Sequence, residues 1–182
     1  MQNGFFHHYQ RSLWMGNKIN DQDILFQRDD WMFSYRTGVL LYRDNKILLQ
    51  HIVGDDGFSI PGGHVSFGEF SRETLARELM EETGAAINVG RLAAVVELLW
   101  QWKKPCHQLN LYYLAELKNS DALPYRSFAA LDELGQERME LEFCWVDLDR
   151  LDQVRVYPAC MKPYLHQLPD HIIHLQENQL EN

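Results

Sequence analysis

Cysteine is scarce in this chain, and its spacing does not fit the sites that cysteines usually build. The three cysteines, Cys106, Cys144 and Cys160, lie far apart and form no CxxC pair. Neither a zinc knuckle nor a disulfide framework is therefore predicted. Three reduced thiols are instead typical of a protein from a reducing compartment, so we expect a cytoplasmic protein.

Long apolar runs are also missing. No stretch of the 182 residues approaches the length of a membrane-spanning helix, so no membrane partner is expected. The N-terminal residues MQNGFFHHYQR lack the basic and apolar regions of a secretory signal. The apolar fraction of 46% is sufficient for a folded core, and no repeat or low-complexity tract interrupts it.

Positive charge is in deficit, with 17 Lys and Arg against 26 Asp and Glu and a net charge of −9 at pH 7. Binding to a nucleic-acid backbone requires a basic surface, so no nucleic-acid polymer is expected as a partner. A small nucleotide remains compatible with this charge. Clustered carboxylates recruit a divalent cation, and the cation then binds phosphates.

The chain is predicted to form one globular domain with an addition at each end. Residues 1–32 are interpreted as an N-terminal extension with a short strand near Asp23–Gln27. Residues 33–157 are predicted to form the main domain. Residues 158–182 are predicted to form a helical tail that packs on this domain, although Pro163 and Pro169 interrupt it.

Within the main domain, strand-like segments surround one strong helix. The helix is expected at Phe70–Thr83, because Gly84 follows it as a typical C-terminal glycine. This order indicates an α/β (α+β) fold, with a mixed β-sheet between helices. Strands are predicted at Ser34–Tyr42 and Lys46–His51, joined as a hairpin at Asp44-Asn45, and at Ala93–Trp102, Leu109–Leu117 and Glu140–Val146.

The stretch Gly62–Ala85, GGHVSFGEFSRETLARELMEETGA, carries the most chemical information. On a helix, Glu78, Glu81 and Glu82 lie at i, i+3 and i+4, and at about 100° per residue they share one face. Like charges at this spacing repel one another. A hard cation such as Mg²⁺ prefers oxygen ligands and makes such a cluster favourable. An acidic, solvated helix face is the alternative interpretation.

Two features next to these glutamates favour a metal site. The paired glycines Gly62-Gly63 follow a predicted strand and permit backbone geometries that other residues resist, so a carbonyl can approach a metal closely. Arg77 precedes Glu78 and could orient a carboxylate in a bidentate pair. Its alternative role is a surface ion pair that contributes little stability.

These residues resemble the signature of the MutT/Nudix family. The signature is a glycine, five residues, a glutamate, seven residues, and then Arg-Glu-apolar-any-Glu-Glu-any-Gly-apolar. Here Gly63, Glu69 and the run Arg77–Ala85 match it with both spacings, over 23 of the 182 residues. Only Ala85 is smaller than usual, which concerns packing and not the metal site. The resemblance implies the Nudix fold, an α/β/α sandwich.

The resemblance also implies a metal centre made of carboxylates and a glycine carbonyl. The expected cofactor is Mg²⁺, with Mn²⁺ as an alternative. The implied ligands are the carboxylates of Glu78, Glu81 and Glu82 and the carbonyl of Gly62 or Gly63, with Glu69 as a residue that supports a further metal or braces the loop.

The implied reaction is hydrolysis of a phosphoanhydride (pyrophosphate) bond in a nucleoside-diphosphate derivative by an activated water. Arg77 resembles the family residue that orients the metal-binding glutamates. The general base differs among family members, and we expect Glu78 or Glu82 before Glu142 or Glu140. The alternative reading of the last two is that they are exposed positions of a strand.

Other residues carry weaker indications of a ligand. Trp100, Trp102 and Tyr112 could stack on a nucleobase, or they could be core residues. His107 and Asn110 could read the edge of a ligand, or they could be loop residues. No downstream signature of ADP-ribose or dinucleoside-polyphosphate hydrolases, and no upstream signature of coenzyme A hydrolases, is found, so the substrate within the nucleoside-diphosphate class stays open.

Two other classes of function compete with the enzyme. A catalytically silent Nudix-fold module would bind or sense a nucleotide without turnover, but such proteins usually lose glutamates that this chain retains. An acidic structural protein would show no dependence on Mg²⁺. Many members of the family are homodimers, and the aromatic N-terminal segment is a candidate interface.

Overall fold

The computed structural model describes residues 22–130 and 141–180. The described part contains eleven strands, one α-helix and two 3₁₀ helices. The elements, in chain order, are β1 (Leu25–Arg28), β2 (Trp31–Arg43), β3 (Lys46–Ile52), β4 (Gly57–Ser59), β5 (Gly62–His64), α1 (Ser71–Thr83), β6 (Ile87–Gln101), β7 (Pro105–Leu117), β8 (Phe128–Ala129), β9 (Leu141–Asp147), a 3₁₀ helix (Leu148–Gln153), β10 (Arg155–Tyr157), a second 3₁₀ helix (Ala159–Tyr164) and β11 (Ile173–Asn178).

The strands form one mixed sheet, as the sequence predicted. Its main order is β10-β4-β3-β2-β7-β6-β11, with β1 and β5 added beside β2, and β9 beside β3 and β8. The long pairing of β2 with β7 is parallel, whereas β6 and β7 form an antiparallel pair. Strand β2 is therefore the centre of the fold. It pairs with β5, whose first two residues, Gly62 and Gly63, are called the glycine turn below.

The predicted hairpin between β2 and β3 is confirmed. Tyr42 pairs with Ile47 across the antiparallel strands. The two turn residues Asp44 and Asn45 both have positive φ, at 49° and 60°. Two consecutive residues of this conformation are characteristic of the two-residue turns whose twist matches that of the strands.

Helix α1 begins one residue after the predicted start and ends where predicted. The Glu73 carboxylate accepts a hydrogen bond of 2.9 Å from the backbone N–H of Phe70 and so satisfies a donor that the first turn leaves free. Gly84 then adopts φ 71°, and its N–H donates to the carbonyl of Met80. A glycine in this conformation ends a helix at little steric cost.

Two apolar cores cover the two faces of the sheet, which gives the α/β/α sandwich that the resemblance implied. The second helical layer consists of the 3₁₀ helices. The core beneath α1 includes Leu75 and Leu79 of the helix with Val39, Leu41 and Tyr113 of the sheet. The core on the other face includes Leu151, Met161 and Leu165 with Leu40 and Leu49.

The prediction of a helical tail over residues 158–182 is only partly right. Ala159–Tyr164 is helical, but Ile173–Asn178 is strand β11, which pairs in parallel with β6 from Ala94 to Leu99. The burial of β11 alternates along the strand, beginning with the buried Ile173. This two-residue period is the pattern of a strand with one covered face. The C-terminal strand is attached to the domain through this pairing with β6.

The predicted short strand near residue 25 is present. Strand β1 pairs with β2 in antiparallel register from Leu25 opposite Ser34. Residues 1–21 of the predicted extension lie outside the described residues. Among the described helices, none has the length and apolar character needed to span a lipid bilayer.

Candidate metal centre and adjoining pocket

The glycine turn lies against strand β2 with no room for a side chain. Gly62 pairs with Gly38, and a Cβ placed on Gly62 would lie 2.0 Å from the carbonyl oxygen of Thr37. Gly62 also has φ 155°. The close approach of two backbones therefore explains why glycine is needed here, and it fixes the turn that precedes α1.

Arg77 joins three of the four signature glutamates. Its Nε and Nη2 donate to the two carboxylate oxygens of Glu69 at 3.0 Å each, in a bidentate pair. Its Nη1 donates to Glu78 at 2.7 Å and to Glu81 at 3.1 Å. The arrangement fits the orienting role that the resemblance implied. The bidentate partner, however, is Glu69 and not Glu78.

The glutamates of α1 differ strongly in their exposure to solvent. Glu78 and Glu82 are buried, with 9% and 3% of their surface exposed, whereas the Glu81 side chain is 54% exposed. An acidic, fully solvated helix face is therefore wrong for two of the three residues. Burying carboxylates is costly unless cations or hydrogen bonds compensate, so positive charge is required at this position.

The pKa values of the two carboxylates beside Arg77 are shifted in opposite directions, because burial dominates at Glu78 and the hydrogen bonds of Arg77 dominate at Glu69. Burial raises the pKa of Glu78 above its ordinary value, although the nearby Arg77 opposes this. The hydrogen bonds from Arg77 lower the pKa of Glu69, which is more exposed. Glu78 therefore has the more basic carboxylate of the two, as a proton acceptor requires.

Arg36 is a functional candidate that the sequence interpretation missed. It lies on β2 and is 7% exposed, and its Nη2 donates to the carbonyl oxygen of Gly62 at 3.2 Å. Burial lowers the pKa of Arg36, and the charges of Tyr112, Glu78 and Glu82 oppose this. A charged residue inside the strand-like run SYRTGVLLY was the available signal.

His64 is a second residue that was missed. It directly follows the two glycines and is 1% exposed. Burial, and then the charge of Arg36, lower the pKa of His64 well below its ordinary value. The imidazole is therefore neutral at pH 7 and does not add to the positive charge of Arg36.

A polar pocket opens beside Arg36. The pocket itself is small, about 10 Å³, which is room for roughly one water molecule, and its mouth is open to solvent. Inside it, Gln108 Nε2 donates to Asn110 Oδ1 at 2.8 Å. Gln108 Oε1, Asn110 Nδ2 and Gln50 Oε1 are buried and have no hydrogen-bond partner among the described residues. The pocket is lined by Arg36, Thr37, Gln50, Ser59, Ile60, Gln108, Asn110, Tyr112 and Tyr157.

The two paired amides present one donor and one acceptor to the pocket in either orientation. If both Gln108 and Asn110 were flipped, the pair would still keep one mutual hydrogen bond and leave one N–H and one oxygen free. Unpaired buried groups of this kind are costly without a partner. The pocket is thus complementary to a neutral group with an adjacent donor and acceptor.

Of the remaining residues that the sequence suggested as ligand contacts, some lie in the pocket and others do not. Trp100 is fully buried in a small core with Leu98 and Cys106. His107 is exposed on β7, whereas Asn110, on the same strand, is buried in the pocket. Both are strand residues, so the loop interpretation is wrong for them.

Glu142 lies apart from the α1 carboxylates in its contacts. It is on β9, where its Oε2 lies 3.1 Å from His51 Nε2 and 3.9 Å from Cys144 Sγ. Within residues 22–130 and 141–180, its polar side-chain contacts are with these two residues. Glu140, the other distant candidate for the base, lies outside the described residues. The structure thus brings Glu69, Glu78 and Glu81 together around Arg77 and gives Glu142 other partners.

The donors at α1 fit a hard divalent cation. They are carboxylate oxygens and the carbonyl of Gly62, the type of ligand that Mg²⁺ and Mn²⁺ prefer. Among the described residues, the side chain that donates a hydrogen bond to the Gly62 carbonyl is Arg36. A carbonyl oxygen has two lone pairs, so a second position remains for a cation.

Comparisons with solved structures agree with this architecture. A MutT protein from Bacillus halodurans matches with a TM-score of 0.59 and 16% identity, over 81% of this chain and 92% of that one. An ADP-ribose pyrophosphatase from Streptococcus suis matches with a TM-score of 0.52 and 16% identity, over 79% and 98%. A UDP-X diphosphatase matches with a TM-score of 0.52 and 21% identity, over 78% and 66%. At these identities the similarity shows the fold.

The family is shown by the sequence itself. The family model described as NUDIX domain matches residues 32–168, which include β2 except its first residue, the glycine turn, α1 and both 3₁₀ helices. With the matching fold and the signature residues assembled around Arg77, we conclude that this chain belongs to the Nudix family.

Proposed function

We propose that this protein is a metal-dependent Nudix hydrolase that cleaves a phosphoanhydride bond in a nucleoside-diphosphate-linked small molecule. The observation that carries the proposal is the burial of Glu78 and Glu82 beside the Gly62 turn. A solvated acidic face would expose these carboxylates. Their burial next to a polar pocket is expected of a cation site with a substrate cleft.

The proposed metal ligands are Glu78, Glu81, Glu82 and the carbonyl of Gly62 or Gly63. When bound, Mg²⁺ or Mn²⁺ neutralises phosphate charge, polarises the phosphoryl group and acidifies water. Arg77 orients Glu78 and Glu81, and its bidentate pair with Glu69 fixes the guanidinium itself. Glu69 therefore acts as a brace of the loop, with support of a further metal as its other proposed role.

Glu78 and Glu82 are the proposed general bases. Burial raises the pKa of Glu78, which makes its carboxylate a better proton acceptor. The base removes a proton from the attacking water as the water oxygen bonds to phosphorus and the phosphoanhydride bond breaks. Glu142 stays a distant alternative, although its carboxylate contacts His51. For Glu142 to act as the general base, its carboxylate would have to break this contact with His51.

The pocket supports a nucleoside as part of the substrate. Gln108 and Asn110 present an adjacent donor and acceptor to the mouth of this small pocket, and these groups match the polar edge of a nucleobase that lies over the mouth. The net charge of −9 opposes a long nucleic acid and leaves a small nucleotide as the ligand. Two structural neighbours are named as an ADP-ribose pyrophosphatase and a UDP-X diphosphatase, and both names refer to substrates that are nucleoside-diphosphate derivatives.

We also propose that residues 33–157 contain the catalytic unit of a cytoplasmic homodimer. Phe26 and Trp31, at the junction of β1 and β2, are 49% and 43% exposed. Exposed aromatic residues of this kind are enriched in interfaces between proteins. The molar mass in solution, measured by light scattering for wild type and Trp31→Ala, tests this proposal.

The test of function is a panel of nucleoside-diphosphate derivatives assayed with and without Mg²⁺. Glu82→Gln is the variant, and Glu116→Gln, an exposed position on β7, is the matched control. We expect Mg²⁺-dependent turnover that Glu82→Gln lowers by about three orders of magnitude while Glu116→Gln retains it. Equal turnover in Glu82→Gln would remove that residue from the site. Nucleotide binding with no turnover in wild type would favour the catalytically silent module.

A further inference from the structure

Three metal-ligating side chains of different chemistry meet on β3 and β9. His51 Nε2, Glu142 Oε2 and Cys144 Sγ all lie within 4.8 Å of one another. The imidazole and the carboxylate are 3.1 Å apart, and the sulfur lies 3.9 Å from the same carboxylate oxygen. Within the described residues, this is the group of three His, Cys, Asp or Glu side chains whose ligand atoms all lie within this distance of one another.

The strand register holds the three side chains together. His51 on β3 lies directly opposite Glu142 on β9, and Cys144 follows Glu142 by two residues and so points to the same side of the sheet. Strand β9 is also paired with β8 on its other edge, where Ala129 faces Glu142. The donors therefore project from paired strands, which position ligands more precisely than loops do.

The second ring nitrogen of His51, Nδ1, also has a contact that orients the imidazole. Its Nδ1 lies 3.4 Å from the carbonyl oxygen of Asp55, and the Phe58 ring lies 4.9 Å from the imidazole, centroid to centroid. When a metal replaces the proton on Nε2, a proton on Nδ1 keeps the imidazole neutral and leaves the Nε2 lone pair for the ion. This anchoring by a backbone carbonyl is the usual second contact of a metal-binding histidine.

The site is accessible but not fully solvated. The His51 and Glu142 side chains are 16% and 34% exposed. Cys144 is half-buried, and Ser127 Oγ lies 3.4 Å from its sulfur. An ion can therefore enter from solvent and find partly desolvated ligands.

We propose that His51, Glu142 and Cys144 form a second metal site that binds a Zn²⁺-type transition metal. Thiolate, imidazole and carboxylate together suit Zn²⁺, whereas Mg²⁺ accepts oxygen ligands and disfavours sulfur. Three protein ligands leave a fourth position for water. The site is chemically distinct from the oxygen-rich centre at α1, and it does not rest on the proposed hydrolase activity.

Metal binding at this site must displace protons. His51 Nε2 lies 3.1 Å from Glu142 Oε2 and shares a proton with it, and a metal takes the place of that proton. Since a metal binds the deprotonated ligands, apparent affinity rises with pH. The titration is therefore best performed at pH 8 with the full chain.

Cobalt is a sensitive probe, because a thiolate bound to Co²⁺ absorbs in the near ultraviolet. We expect one equivalent of Co²⁺ to give this absorption in wild type, and Zn²⁺ to displace it. Cys144→Ser removes the thiolate and is expected to weaken binding about 100-fold and abolish the band. Cys160→Ser is the matched control, since Cys160 is the other half-buried cysteine, and it retains the band.

Two further measurements make the outcome decisive. With Mg²⁺ present in excess to occupy the α1 centre, Zn²⁺ is expected to raise the Tm of wild type by more than that of Cys144→Ser, whose circular dichroism verifies its fold. Glu82→Gln keeps the cobalt band, which separates this site from the hydrolase centre. No band in wild type, or a band that survives in Cys144→Ser, would overturn the proposal and leave an ion pair of His51 with Glu142.

Discussion

Arg36 donates a hydrogen bond of 3.2 Å to the carbonyl oxygen of Gly62, so that a buried cation on β2 supports the turn that leads to α1. The same guanidinium lies in the field of Glu78 and Glu82. It thus compensates part of the buried negative charge in the absence of a metal. Arg36 and a bound cation are therefore expected to share one electrostatic role.

Replacing Arg36 by glutamine tests this role. The change removes positive charge beside Glu78 and Glu82, so we expect the free energy of unfolding to fall by about 3 kcal/mol without metal. Mg²⁺ should raise the Tm of Arg36→Gln more than that of wild type, because the ion replaces the missing charge. Arg28→Gln, at an exposed position of β1, is the control. An identical response to Mg²⁺ in both proteins would contradict the shared role.

Gly62→Ala tests the close approach of the glycine turn to β2. The added Cβ would lie 2.0 Å from the Thr37 carbonyl oxygen, so the turn must move. We expect a loss of about 2–4 kcal/mol in unfolding free energy, with most of the turnover lost as well. At Gly54, φ is 92° and nothing lies within 4 Å of an added Cβ. Gly54→Ala therefore reports backbone strain alone, at about 1 kcal/mol, and should remain active.

Chemical denaturation measures the unfolding free energy of both glycine variants and of wild type, and steady-state assays measure their turnover. Equal losses of stability and activity at both positions would show that the contact with Thr37 is unimportant.

Asn110→Leu tests whether the pocket reads the substrate. The variant removes a donor and leaves Gln108 without its partner, so binding of a polar edge should weaken by about 1–3 kcal/mol. We expect KM for the best nucleotide of the panel to rise about 10- to 100-fold, with a much smaller change in kcat. Asn88→Leu, at an exposed position of β6, should leave both constants unchanged. A fall in kcat at constant KM would place Asn110 outside substrate binding.

The attachment of β11 is expected to depend on pH. Glu97 on β6 accepts a hydrogen bond of 2.6 Å from His174 on β11, and this contact, with one from Gln176, lowers the pKa of Glu97. A lowered pKa means that the folded state favours the charged carboxylate. The associated stability is present above the ordinary carboxyl pKa and is lost as pH falls through the lowered value.

Glu97→Gln removes this dependence. We expect its Tm to lie below that of wild type at pH 7 and to approach it as pH falls through the lowered pKa of Glu97, below which the carboxylate is protonated in both states. Thermal unfolding across that range measures the difference, with Glu116→Gln as an exposed control. A Tm difference that stays constant with pH would exclude the carboxylate as its cause.

Local signals were sufficient to predict the central part of the fold. The hairpin followed from Asp44-Asn45, and the end of α1 followed from Gly84, because each depends on backbone conformations of a few neighbouring residues. The spacing of the glutamates predicted a shared helix face. It could not predict that Glu78 and Glu82 are buried and Glu81 is exposed, since this depends on what packs against the helix.

Contacts between distant parts of the chain were not predictable from local patterns. The sequence interpretation assigned β11 to a helix, because the strand that pairs with it lies some eighty residues earlier in the chain. Arg36 was overlooked because its partner Gly62 is 26 residues away. In the cluster of His51, Glu142 and Cys144, His51 and Glu142 are 91 positions apart in the sequence. The spacing of the cysteines therefore did not indicate this metal site.

The most direct measurement of the central claim is the position of Mn²⁺ in a crystal of the protein, located by its anomalous scattering. We expect an ion coordinated by carboxylate oxygens of Glu78 and Glu82, with Arg77 still holding Glu69. An ion bound elsewhere, with both of these carboxylates facing away from it, would contradict the claim that this buried helix face holds the cation for phosphoanhydride hydrolysis.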